Sequence, residues 1–180
     1  MPPPPYEIGD LADDVVRLLD RYDVQTAHFC GVSLGGMTGM ALAAAHPDRV
    51  GHLVLCCTSA LLGPPEMWAE RAATVRREGT AAIAESIVAR WVTPGFAETH
   101  PDLVQRLRAM VVATPDEGYA ACCGAIERMD PRDVLSKVTA STLAVAGRED
   151  PATPPEHGYR IAEGIPGARV AMWRKGVPAR

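Results

Sequence analysis

Residues 27–42 read AHFCGVSLGGMTGMAL. A short apolar run ends in the pattern G-x-S-x-G at Gly31, Ser33 and Gly35, and Gly36 then opens a run of helix formers. Strand, tight turn and helix in that order form the context in which a serine is presented as a nucleophile. Background glycine usage produces the pattern by chance in roughly one chain in ten or twenty of this length, so the flanking elements carry the reading. A serine on so sharp a bend sits in a strained backbone conformation. A side chain two residues before or after it is expected to collide across the bend, which assigns Gly31 and Gly35 to removing that collision. The helix beginning near Leu34 points free N–H groups and the positive end of its dipole at the place where a tetrahedral oxyanion forms. Ser33 is the candidate nucleophile, and the Leu34 N–H the candidate oxyanion donor.

Working outward, apolar residues recur at Ile8, Leu11, Ala12, Val15, Leu18, Leu19 and Tyr22, one face of a helix of period 3.6. Acids lie early in it and bases late, as the helix dipole prefers. Prolines 2–5 make an extended lead-in. Beyond the serine, His46-Pro47 closes the helix, and HLVLCC at 52–57 reads as a strand buried on both faces. A helix between two such strands is a βαβ unit, so the fold class is α/β with a mostly parallel sheet.

From residue 63 to 138 the pattern becomes helical without a convincing strand. The runs 66–77, 80–91, 101–113, 116–129 and 132–137 are separated by Gly, Pro and Thr breakers. Such a span is too long for a βα connection, and it is expected to be an all-helical cap insertion (63–138) over the strand ends where Ser33 sits. Residues 1–62 and 139–180 then make the core, which resumes with a buried strand at 142–146, a helix from Pro154 to about Ile165 and a last strand at 168–173.

Composition bounds the partners. The chain of 180 residues is 47% hydrophobic, with 18 basic and 22 acidic residues and a net charge of −4. There is no basic stripe for nucleic acid and no membrane-spanning run, so a small-molecule partner is expected. Five cysteines stand at Cys30, Cys56, Cys57, Cys122 and Cys123. Their odd number and adjacent pairing argue against a disulfide framework or a zinc site, so no metal is expected. Reduced thiols and a start without a signal peptide lead to an expected cytoplasmic location.

Reactive groups in open α/β sheets collect at the carboxyl ends of strands. Asp150 lies just past the strand at 142–146, and Ser-then-Asp is the order of an α/β relay. It reads equally as an acid that orients an imidazole and as a turn residue before Pro151. A basic histidine is expected after the last strand, where residues 174–180 contain none. His28, His46, His52, His100 and His157 each read as structural.

With these residues in place the chain resembles the α/β-hydrolases, and more narrowly the 3-oxoadipate enol-lactonases of the β-ketoadipate pathway. The resemblance runs over most of the chain, through YEIGDLADDVVRLLD, HFCGVSLGGMTGMALAAAHPDRV, ARWVTPGF, GYAACCGAIERMDPRDVL and AGREDPATPPEHG. It implies a serine hydrolase in aromatic-compound catabolism that uses no cofactor, with Ser33 acylated and Asp150 as the acid. The substrate implied is a small lactone bearing a carboxylate. Arg90 and Arg128 are candidate partners for that carboxylate, with Trp68 and Trp91 as apolar walls; packing within the insertion is the competing reading for all four. The four strands resemble the fifth to the eighth of that fold, a partial sheet. The earlier half and the final histidine have no counterpart, as a fragmentary or frame-shifted gene model would produce. Such a chain is expected to expose an apolar strand edge, to self-associate through it and to be impaired. The alternatives are another small ester or lactone hydrolase, a cofactor-free perhydrolase, or a non-catalytic relic that keeps the pocket.

Overall fold

Helix α1 (Ile8–Arg21) leads into strand β1 (Ala27–Val32), helix α2 (Leu34–Ala45) and strand β2 (Val50–Cys56). A helical stretch follows: α3 (Pro65–Glu78), α4 (Ala81–Val88), α5 (Pro94–Thr99), α6 (Pro101–Val112) and α7 (Asp116–Arg128). A 3-10 segment at Arg132–Lys137 precedes strand β3 (Ser141–Gly147), helix α8 (Pro155–Gly164) and strand β4 (Arg169–Trp173). This computed structural model describes residues 5–173; prolines 2–4 of the lead-in and the tail at 174–180 lie outside them. Contacts divide the described residues into one unit of 8–61 with 129–173 and a second of 5–7 with 62–128.

In the first unit the four strands pair in the order β1-β2-β3-β4, all parallel. Parallel neighbours require crossovers, and α2 and α8 supply two of them. Both helices lie on one face of the sheet. A Cβ on Gly39 of α2 would sit 2.8 Å from Phe29 and 3.1 Å from Leu53, and one on Gly158 of α8 would sit 3.2 Å from Ala146. Leu53 pairs with Thr142 in register, and Ala146 shares the face of Thr142 by alternation along β3. Under the helices Met37, Met40, Leu42, Leu53 and Leu55 are almost completely buried. Side chains of this size contribute about 1.5–3 kcal/mol each on burial.

The opposite face carries His28, Cys30 and Val32 on β1 and His52, Val54 and Cys56 on β2. Here the sequence expectation is corrected. The run HLVLCC is buried on one face only: Leu53 and Leu55 are buried while His52 is exposed. Val32 on β1, an edge strand of the described sheet, is also exposed. Cys30 and Cys56 meet across β1 and β2, and partial burial together with the neighbouring thiol pushes Cys56 up to about 11.

The expected first helix forms, but its apolar stripe is only partly covered: Ala12 is buried whereas Leu18 and Tyr22 are exposed. In the second unit Val75, Ile83, Ile87, Val88, Val104 and Val111 make the core. Gly79, at φ 80°, ends α3, and the Asp116 carboxylate accepts the Thr80 N–H at 2.7 Å. The helix expected over 80–91 stops at Val88, and a further short helix, α5, begins at Pro94. Proline at that position favours a helix start rather than continuation.

Candidate active site

The bend after β1 is held from three directions. Ser33 has φ 51° and ψ −117°, a left-handed value that a side chain rarely adopts. Its N–H donates to the Cys56 carbonyl at 3.0 Å, and its carbonyl accepts the Met37 N–H at 3.0 Å and the Thr58 hydroxyl at 2.7 Å. Strain of order 1–3 kcal/mol persists only where surroundings over-determine it, and these three bonds do so. Ser33 is exposed, and its hydroxyl makes no capping bond to α2. Leu34 is the first residue of α2, so its N–H has no intrahelical acceptor.

Glycine roles differ from the expectation at one position. A Cβ on Gly31 would lie 2.3 Å from the Gly35 backbone, so no side chain fits there. A Cβ on Gly35 would meet nothing within 4 Å. The second crowded position is Gly36, where a Cβ would come within 2.7 Å of Thr58. Gly35 only lends its backbone to the contact that excludes a side chain from residue 31.

Ser33 leaves the sheet at the carboxyl end of β1, and Asp150 follows the carboxyl end of β3 with β2 between them. Two strand spacings put the two strand axes about 10 Å apart. Asp150 Oδ1 accepts the N–H groups of Ala152 and Thr153 at 2.8 and 3.0 Å, and Oδ2 accepts the Thr153 hydroxyl at 2.8 Å. A carboxylate offers about four lone-pair sites, and this turn takes three of them and fixes the group. Between the two strand ends sits Cys57, at φ 43°. Burial, and then the negative charge of Asp150, raise its thiol above the ordinary range.

The five imidazoles bond as follows. His28 and His52 bond to each other, His46 to Asp13, His100 to Thr99 and the Phe96 carbonyl, and His157 to Ser59. Sequence reasoning passed over Ser59, which is 1% exposed. Its Oγ lies 2.6 Å from both the Leu61 carbonyl and His157 Nδ1, and accepts the Leu61 N–H at 3.1 Å. A hydroxyl has one proton. Donating it to the Leu61 carbonyl and accepting Nδ1–H from His157 satisfies every group, which assigns that tautomer. Burial, followed by the charge of Arg160, lowers the His157 pKa.

In the helical unit, Trp68 is 8% exposed and donates its indole N–H to the Leu62 carbonyl at 2.8 Å, with Arg71 over its ring. Arg128 binds Glu7 at 2.6 Å and the Tyr6 carbonyl at 2.5 Å. These contacts are those of packing within the unit. Arg90 and Trp91 follow the end of α4 and are exposed.

A strained serine between a parallel strand and a helix, with an acid past a later strand, defines a class of protein, and comparison with known chains agrees. The model of the alpha/beta hydrolase fold matches residues 1–174. The chain belongs to the alpha/beta hydrolase family. It is 38% identical over 161 residues to 3-oxoadipate enol-lactonase 2 of Acinetobacter baylyi, covering 89% of this chain and 60% of that protein. It is 30% identical over 193 residues to a pimeloyl-[acyl-carrier protein] methyl ester esterase of Neisseria meningitidis, covering 97% of this chain and 69% of the relative. The crystal structure of the enol-lactonase from Burkholderia xenovorans superposes with a TM-score of 0.93 at 40% identity, over 96% of this chain and 66% of that one. The chain thus spans about 60% of the first curated relative's length. Among the described residues no helix is long and apolar enough to cross a membrane.

Proposed function

We propose that this chain carries the nucleophile, oxyanion donor and acid of a serine hydrolase that opens a small carboxylated lactone, 3-oxoadipate enol-lactone, to 3-oxoadipate in aromatic-compound catabolism. The observation that supports it most is Ser33 at φ 51°, exposed at the start of α2. The substrate is inferred from the enol-lactonase relatives at 38% and 40% identity.

In this reading Ser33 Oγ adds to the lactone carbonyl carbon while its proton passes to a base, and the Leu34 N–H faces the oxyanion. The ring C–O bond breaks, the enol oxygen leaves, and the released enol becomes the ketone by taking up a proton at carbon. Water then hydrolyses the acyl-serine ester, releasing the carboxylate and restoring Ser33. Asp150 orients and stabilises the imidazole that moves these protons. All five imidazoles of the chain are bonded as described above, so acylation by these 180 residues is expected to be slow.

A fluorophosphonate probe, with enol-lactone and simple-ester hydrolysis in parallel, tests the reading. Labelling at Ser33 that disappears in Ser33→Ala supports it. An inert Ser33 in a folded sample favours a non-catalytic binding module, and esters turned over in preference to the lactone favour the esterase alternative raised by the Neisseria relative.

A further inference from the structure

Away from the serine, at the opposite end of the same two strands, β1 and β2 each place a histidine on the open face of the sheet. His28 Nδ1 and His52 Nδ1 are 3.1 Å apart, and the rings meet edge to face with centroids 4.6 Å apart. Both side chains are exposed. The pairing is built into the backbone. The strand pairing shifts between Ala27 and Phe29, where the one residue His28 of β1 faces the two residues 51–52 of β2, and a Cβ on Gly51 would come within 3.0 Å of the His28 ring. Glycine at 51 is what lets that ring lie across β2 toward His52.

We infer that His28 and His52 form a two-imidazole chelate for a borderline divalent transition-metal ion such as Ni²⁺, Zn²⁺ or Cu²⁺. Neutral imidazole is a preferred ligand of these ions. Metal–nitrogen bonds of about 2.0–2.1 Å spanning a gap of this size subtend about 95–100° at the metal, between the octahedral and tetrahedral angles. Without metal, one Nδ1–H donates to the bare Nδ1 of the other ring. Binding replaces that shared proton: the donor ring takes the Nε2–H tautomer, and both rings turn until their Nδ1 lone pairs converge on the ion. The donor ring's Nδ1–H bond breaks and an Nε2–H bond forms by exchange with water, so no net proton is released.

Among the described residues no three His, Cys, Asp or Glu side chains gather around one point, so water completes the shell. The strands hold the second imidazole at an effective concentration of millimolar or more, which tightens binding by at least about tenfold over one imidazole. The folded chain presents the two imidazoles together, so the ion raises stability by mass action to the extent that it binds the unfolded chain's thiols and imidazoles less tightly.

The test is a calorimetric titration of the full 180-residue chain with NiCl₂. One saturable site, weakened at least about tenfold in His28→Gln and in His52→Gln and retained in His46→Gln and Cys30→Ala, supports the chelate. Unchanged affinity in the double variant overturns it, as does loss of binding in Cys30→Ala alone, which would assign the ion to the thiol. A measurement on the unaltered chain stands independently of the variants' folding. Sub-stoichiometric Ni²⁺ is expected to broaden the ring resonances of His28 and His52 before those of His46, His100 and His157, and equal broadening of all five overturns the proposal.

Discussion

The Thr58 hydroxyl donates to the Ser33 carbonyl at 2.7 Å, and the same side chain occupies the space that a Cβ on Gly36 would need. One buried threonine after β2 therefore fixes both the strained residue and the first turn of the helix behind it. Thr58→Val keeps the shape and removes the donor. It is expected to lower stability by about 0.5–1.5 kcal/mol, the net worth of such a bond, and to slow probe labelling of Ser33. Denaturant unfolding and labelling rates, measured together, check this.

The glycines of the bend separate cleanly. Gly31→Ala places a methyl group 2.3 Å from backbone that cannot move aside, and is expected to destabilise by about 3 kcal/mol or to prevent folding. Gly35→Ala meets open space inside a helix and is expected to be neutral or stabilising by up to about 1 kcal/mol. Equal melting temperatures for the two variants would contradict the geometry.

His157 makes stability depend on pH. Its folded pKa is depressed by burial and by Arg160, against smaller opposing effects from Glu156 and Asp150. The unfolded chain therefore binds the proton more readily, and stability falls as pH drops below the ordinary imidazole value toward the folded one. Above that window the contribution is constant. His157→Gln is expected to flatten the slope between about pH 7 and 5, read from urea midpoints at each pH.

Arg90 and Arg128 are expected to behave differently. Arg128→Gln breaks the bonds to Glu7 and the Tyr6 carbonyl and should destabilise by about 1 kcal/mol, as exposed pairs do. Arg90→Gln, under the proposed function, should raise KM for the carboxylated lactone and leave a neutral ester unaffected. Steady-state kinetics on both substrates decide it.

The β1 edge of the described sheet, with Val32 exposed, invites pairing with another chain. Sedimentation is expected to show concentration-dependent association, reduced in Val32→Lys. A monomer at all concentrations would count against it.

Much of this was legible locally. The bend at 31–36, the parallel order of strands and the helical span announce themselves through adjacent residues whose spacing sets backbone geometry. The sequence left Asp150 open between an acid and a turn residue, and its three bonds show that it organises its own turn. What escaped depends on distance along the chain. His28 with His52 and Ser59 with His157 are 24 and 98 positions apart, and only strand register or helix docking brings them together. The run at 52–57 misled for another reason: an apolar stretch looks the same whether one face or both are covered, because cysteine and valine tolerate either.

Cys57 stands at the end of the middle strand, flanked on one side by the strand of the serine and on the other by that of the acid. A sulfur in that position is the natural competitor for any electrophile. Burial and the adjacent carboxylate keep it protonated, and a thiol that holds its proton reacts sluggishly. Thiol-seeking reagents should thus pass it by, a chemical selectivity set first by burial and then by a neighbouring charge.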